Sequence, residues 1–126
     1  MNKPVFAASA VQTPWGFLEV GPSAFAAGQG QVRLVDVREV NEFNDALGHV
    51  DGAELVPLAT LPTVAAGWNR DEAIAVVCRS GGRSARGALT LAQLGFTEVY
   101  NVTGGMLGWN AARLPTAGQA NSAATL

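Results

Sequence analysis

The stretch Ala73-Ile74-Ala75-Val76-Val77-Cys78-Arg79-Ser80-Gly81-Gly82-Arg83-Ser84 decides the fold of this 126-residue chain. Its first five residues are apolar without a break and rich in β-branched side chains. That is the pattern of a strand buried on both faces, as in parallel sheets covered by helices. A glycine pair then turns the chain. Beyond it Ala85, Ala88, Leu89 and Ala92 recur at helical spacing up to Leu94. Gly95 ends that helix, with Phe96 placed to pack back on Leu91 in a Schellman-type cap.

The same alternation continues on both sides of this unit. Upstream, Phe17–Val20, Arg33–Val37 and Ala53–Val56 read as strands, and Pro22–Ala27, Glu39–Leu47 and a turn around Ala59–Trp68 read as helical. Downstream, Glu98–Asn101 reads as a strand and Met106–Ala112 as a helix. The expected fold class is therefore α/β, with a central, mostly parallel five-stranded sheet. Residues 1–15 show no period and are expected to form an irregular extension, 16–114 the domain, and 115–126 a flexible tail rich in small residues.

Composition narrows the function. The chain is 48% hydrophobic and 14% charged, which suits one folded domain rather than a disordered chain. A net charge of −2 argues against a nucleic-acid partner, because phosphate backbones would be repelled. No apolar run approaches the ~18 residues of a membrane span, and the apolar part of the first ten residues is too short for a secretory signal. The expected location is cytoplasmic, where a lone thiol stays reduced. With one cysteine the chain has no internal disulfide, no four-thiolate zinc site and no resolving thiol, and no metal or cofactor is expected.

The chemistry is expected where the best strand ends. Ligands in parallel α/β sheets bind beyond the carboxyl ends of the strands, and Cys78 stands there. The turn through Gly81 and Gly82 can aim successive N–H groups inward as an anion cradle, at the positive end of the following helix. Arg79, Arg83 and Arg86 are three of the chain's eight basic residues, gathered within eight positions of an acidic protein. Each feature favours the thiolate, so Cys78 is expected to ionise below the ~8.5 of a free cysteine. A cysteine after an apolar strand can also be a buried filler. Packing, however, does not call for Arg-Ser-Gly-Gly-Arg.

These residues resemble a known family. Cys78-Arg79-Ser80-Gly81-Gly82-Arg83-Ser84 is similar to the active-site loop of single-domain rhodaneses, the thiosulfate sulfurtransferases. Leu34-Val35-Asp36-Val37-Arg38-Glu39, Glu42-Phe43 and Gly48-His49-Val50-Asp51-Gly52-Ala53 match the family's N-terminal signature, and Gly104-Gly105-Met106-Leu107-Gly108-Trp109 its C-terminal one. Order and spacing agree from Pro22 to Pro115.

The resemblance implies a three-layer α/β/α rhodanese-like domain that moves sulfane sulfur. Cys78 would take the outer sulfur of thiosulfate or a similar small anionic donor, become a persulfide, and pass the sulfur to cyanide or a thiol. Arg79, Ser80, Gly81, Gly82 and Arg83 would bind the donor, with Asp36, Arg38 and Ser84 in support. Two loop arginines lean toward an inorganic oxyanion rather than mercaptopyruvate. A carrier module that hands sulfur to an acceptor protein is the competing reading. Phosphatases and arsenate reductases of the same fold have a loop one residue longer, Cys-x5-Arg, whereas Cys78 to Arg83 is Cys-x4-Arg. The state in solution is expected to be monomer or homodimer.

The remaining polar residues read more plainly. His49, the only histidine, matches a structural turn residue rather than a base for Cys78. Asp36 and Arg38 are expected to form a salt-bridged brace at the end of their strand. Glu42 reads as a solvated or bracing carboxylate, and Ser84 as a helix cap that could also reach a loop carbonyl or the persulfide. Trp15, Trp68 and Trp109 are expected to pack, Trp109 near the pocket. No Gly-x-Ser-x-Gly elbow and no nucleotide-binding glycine motif is present.

Overall fold

Ile74–Val77 forms a strand whose four residues are all buried, and in the computed structural model, which describes residues 3–118, it lies deep inside a six-stranded sheet. In chain order the elements are β1 (Val11–Gln12), β2 (Leu18–Val20), α1 (Pro22–Ala26), β3 (Arg33–Asp36), α2 (Val40–Phe43), β4 (Glu54–Leu55), α3 (Leu61–Ala65), β5 (Ile74–Val77), α4 (Gly82–Gln93), β6 (Val99–Val102) and α5 (Gly105–Ala111). The strand order is β1-β2-β6-β5-β3-β4. Every pairing is parallel except β1 with β2.

Alternation along β5 splits the core in two. Ile74, Val76 and Cys78 belong to the cluster that includes Leu61 and Ala65 of α3 and Ala88 and Leu91 of α4. Ala75 and Val77 belong to the other cluster, with Phe25 of α1 and Met106 and Trp109 of α5. This is the expected three-layer α/β/α arrangement. Burying a Val or Ile contributes about 1.5–3 kcal/mol over leaving it in water, so a wholly apolar strand takes an inner position.

The sheet has six strands, not the expected five. The sixth, β1, comes from the stretch without a period, and it pairs Val11 with Glu19 and Gln12 with Leu18. Val11 is exposed, so no hydrophobic signal marks this strand. Backbone pairing alone makes it, across a turn in which the Thr13 N–H and hydroxyl both donate to the Phe17 carbonyl.

The helix expected over Glu39–Leu47 is a single turn. Glu39 and Glu42 close a capping box at its start. At its end the Glu42 carbonyl accepts from the Asp45 N–H at 3.2 Å and from Nη1 of Arg38 at 3.3 Å, and Nδ1 of His49 lies 2.9 Å from the Phe43 carbonyl. α4 ends as expected, with Gly95 at φ +103 and the Phe96 N–H donating to the Leu91 carbonyl.

Of the stretch expected to be a flexible tail, residues 119–126 lie outside the described residues. The part before them is tied down. Trp109 Nε1 donates to the Pro115 carbonyl, and Ala117 and His49 exchange both backbone hydrogen bonds. Among the described residues no helix is long and apolar enough to cross a membrane.

Candidate active site

β5 delivers Cys78 to the carboxyl edge of the sheet, and α4 begins four residues later. Two constraints shape the loop between them. Gly81 has φ +108, a left-handed backbone that glycine adopts without steric cost. From the other side, the N-terminus of α5 grips the loop's outward carbonyls. The Met106 N–H donates to the Cys78 carbonyl at 2.8 Å, and the Leu107 N–H to that of Arg79 at 2.9 Å. Gly105 must be glycine for this approach. A β-carbon there would overlap the Cys78 carbonyl oxygen and come within 2.6 Å of the Arg79 carbonyl carbon and oxygen. With the Cys78 and Arg79 carbonyls held by α5, the loop turns its N–H groups toward the sulfur.

Cys78 is 1% exposed. The Gly81 N–H donates to Sγ at 3.1 Å, and the thiol donates to the Ser84 hydroxyl oxygen at 3.3 Å. Burial pushes the thiol pKa up. The N–H groups of Ser84, Gly81 and Ser80 pull against it, and the thiol lies below its ordinary value. Ser84 sits inside the first turn of α4 and makes no cap; its fully buried hydroxyl also donates to Asn101 Oδ1 on β6 at 2.6 Å.

The arginines divide. Arg83 is held by Glu42 in a two-point pair, 2.7 and 3.0 Å, so the expected donor-binding side chain already has a carboxylate on it. That guanidinium holds Glu42 at a pKa of about 2. Arg38 and Asp36 form the expected brace, a buried pair with Nη2 to Oδ2 at 2.8 Å, and Arg38 also donates to the Gly48 carbonyl. Arg79 is exposed and has no ion-pair partner among the described residues. It lines an open cavity of about 270 Å³ together with Arg38, Glu42, Asp45, Ala46 and Leu47. Ser80 is exposed on the loop's crest, and Gly82 opens α4.

The site is thus a lone buried thiol, ringed by loop N–H groups and followed by an arginine that has no ion-pair partner among the described residues. A family model described as "Rhodanese-like domain" matches residues 23–112, most of the chain. The protein belongs to this family.

Three further likenesses agree. Thiosulfate sulfurtransferase GlpE of Shewanella oneidensis is 36% identical over 81 residues, which cover 64% of this chain and 78% of GlpE. The uncharacterized protein YqhL of Bacillus subtilis is 40% identical over 85 residues, 68% of this chain and 66% of that protein. The crystal structure of a rhodanese-related protein from Thermoplasma volcanium superposes with a TM-score of 0.71 at 27% identity, covering 80% of this chain and 98% of that one.

Within the rhodanese-like frame, His49 is remote in role from the thiol: its ring stacks on Phe43, 3.7 Å between centroids. Trp109 packs in the core on the α5 side of the sheet, but Trp15, expected to pack, is 61% exposed. Glu42, read as a solvated or bracing carboxylate, braces Arg83. Sequence reasoning missed two participants: Asn101 lies inside a short apolar strand, and Glu19 is the one carboxylate in another. Each is a polar residue in a setting that local patterning explains without chemistry.

Proposed function

We propose that this protein is a sulfurtransferase that carries sulfane sulfur on Cys78, with thiosulfate as the donor that fits best. The observation that carries the reading is the convergence of the loop N–H groups on Sγ of the chain's single cysteine. The Cys78 thiolate attacks the outer sulfur of thiosulfate. Its electron pair forms the new S–S bond, and the old S–S pair leaves on sulfite. A thiol or cyanide then attacks the outer sulfur of the persulfide and returns Cys78 as thiolate.

Each part of the loop has a task in these two steps. The N–H cradle stabilises the anion on the cysteine before transfer and on the persulfide after it. Arg79, with no carboxylate partner among the described residues, attracts the donor's sulfonate and the departing sulfite. Arg83 is tied to Glu42 and keeps the first turn of α4 in place. Cys-x4-Arg leaves a cradle suited to a sulfur atom rather than to a phosphoryl group.

The test is the intact mass of the protein after exposure to thiosulfate and again after cyanide. A gain of one sulfur atom that cyanide removes, absent in Cys78→Ser, is the expected result. No gain with thiosulfate overturns the donor assignment. A gain that only an acceptor protein discharges favours the carrier reading over turnover with small acceptors.

A further inference from the structure

The buried hydrogen bonds behind Cys78 form a chain with a direction. The thiol donates to Ser84 Oγ at 3.3 Å, Ser84 donates to Asn101 Oδ1 at 2.6 Å, and Asn101 Nδ2 donates to Glu19 Oε2 at 3.2 Å. The sheet builds this line: Glu19 on β2 and Asn101 on β6 are register partners, and Asn101 in turn faces Val76, two residues before Cys78. Asn101 is 2% exposed and Ser84 fully buried, so water does not share these bonds.

A carboxylate only accepts. Glu19, with the Gly81 carbonyl at 3.5 Å as a weaker second acceptor, therefore holds the Asn101 NH2 group away from Ser84 and its oxygen toward it. The single Ser84 proton has two acceptors on that side, the Asn101 oxygen at 2.6 Å and the Gly81 carbonyl at 3.2 Å, and the amide oxygen takes it at the shorter distance. Ser84 is left with a lone pair toward the sulfur, a good acceptor for a thiol and a poor neighbour for a thiolate.

We propose that Glu19 and Asn101 are positioning residues for Cys78: they set the direction of the hydrogen-bond chain that ends on its sulfur, and so hold the Ser84 proton away from the thiolate. The loop N–H groups and the chain thus act in opposite senses. The cradle favours ionisation, and the chain checks it. A less stabilised thiolate is the stronger nucleophile, so the opposition trades thiolate fraction for reactivity.

The other charges around the sulfur do not reach it through this chain. Arg83 on α4 is paired to Glu42 of α2, and Asp36 and Arg38 beyond β3 are paired to each other. Arg79 in the loop is unpaired among the described residues. α3, which packs on the Cys78 side of the sheet, carries no charged residue, and neither does α5.

The inference uses the reading of Cys78 as the nucleophile, but its test needs no sulfur transfer. The rate of Cys78 alkylation by iodoacetamide is followed against pH in the full chain. Glu19→Gln keeps the shape and lets the amide chain reverse, so that Ser84 can donate to the thiolate. Asn101→Leu keeps the volume and the Glu19 charge but removes the acceptor. Each is expected to lower the midpoint by about one pH unit, a tenfold gain in thiolate fraction below it, and the double variant no further. An unchanged or raised midpoint in Asn101→Leu overturns the proposal, as does full additivity in the double variant. If Asn101→Leu does not fold, Ser84→Ala serves as background. There Glu19→Gln must lose its effect, and a persisting shift shows charge alone at work and overturns the proposal.

Discussion

Gly105→Ala is expected to be the most informative single-atom addition to this protein. The residue has φ +57, where a side chain costs about 1 kcal/mol or more, and the new β-carbon would overlap the Cys78 carbonyl oxygen. Two other backbone atoms, the carbonyl carbon and oxygen of Arg79, would lie 2.6 Å away. Backbone cannot rotate aside, so α5 must retreat. Doing so stretches the bonds of 2.8 and 2.9 Å from Met106 and Leu107, at about 1 kcal/mol each.

The sum is about 3 kcal/mol. At about 4 °C per kcal/mol for a domain of this size, the melting temperature should fall by about 12 °C. Because those two bonds hold the Cys78 and Arg79 carbonyls, alkylation of Cys78 at neutral pH should slow as well. Gly82→Ala is the control: it opens a helix and a β-carbon there meets nothing within 4 Å, so its effect should stay within about 1 kcal/mol. Calorimetry and iodoacetamide kinetics on the two variants decide the matter. A Gly105→Ala protein within about 1 kcal/mol of its parent, with parental Cys78 reactivity, refutes the close-approach argument.

Arg79→Ala removes the loop's unpaired guanidinium. It should raise the KM for thiosulfate about tenfold in a steady-state assay while melting within a degree or two of the parent. Arg38→Met strands the Asp36 carboxylate in the core, and urea unfolding should show a loss of about 3–5 kcal/mol. Glu42 is pulled from 4.5 to about 2 by Arg83, so its pair stabilises the native state fully above pH 4.5 and ever less as pH falls toward 2. The two side chains are 36% and 25% exposed, and water screening reduces the effect to about 1 kcal/mol. Urea midpoints of Glu42→Gln and the parent should differ near neutrality and converge in acid.

The parts of the fold that were legible in the sequence are those whose signal is local. β5 announces itself through an unbroken apolar run, α4 through small residues at helical spacing, and its end through Gly95 and Phe96. β1 was not legible, because two exposed residues paired at a sheet edge leave no hydrophobic trace. Nor was the early end of α2, since the groups that claim its last carbonyls, Arg38 and His49, are not neighbours in a helical pattern. In the candidate site, the buried thiol and its N–H cradle could be read from Cys78 through Arg83, where the strand end, the glycine pair and their spacing place them.

The sequence by itself determined that a lone thiol stands at the end of a buried strand, within a turn that only glycine permits and beside an excess of positive charge. Tertiary structure alone decided which charge is free. Arg79 and Arg83 are equivalent as letters, but Glu42, 41 positions from Arg83, neutralises one and leaves the other facing a cavity. It also decided what stands behind the sulfur, by setting Glu19 against Asn101 across 82 residues. The physical reason is the same in both cases. A hydrogen bond or ion pair depends on distance and direction at a few ångströms, and only the packed sheet brings such distant residues that close.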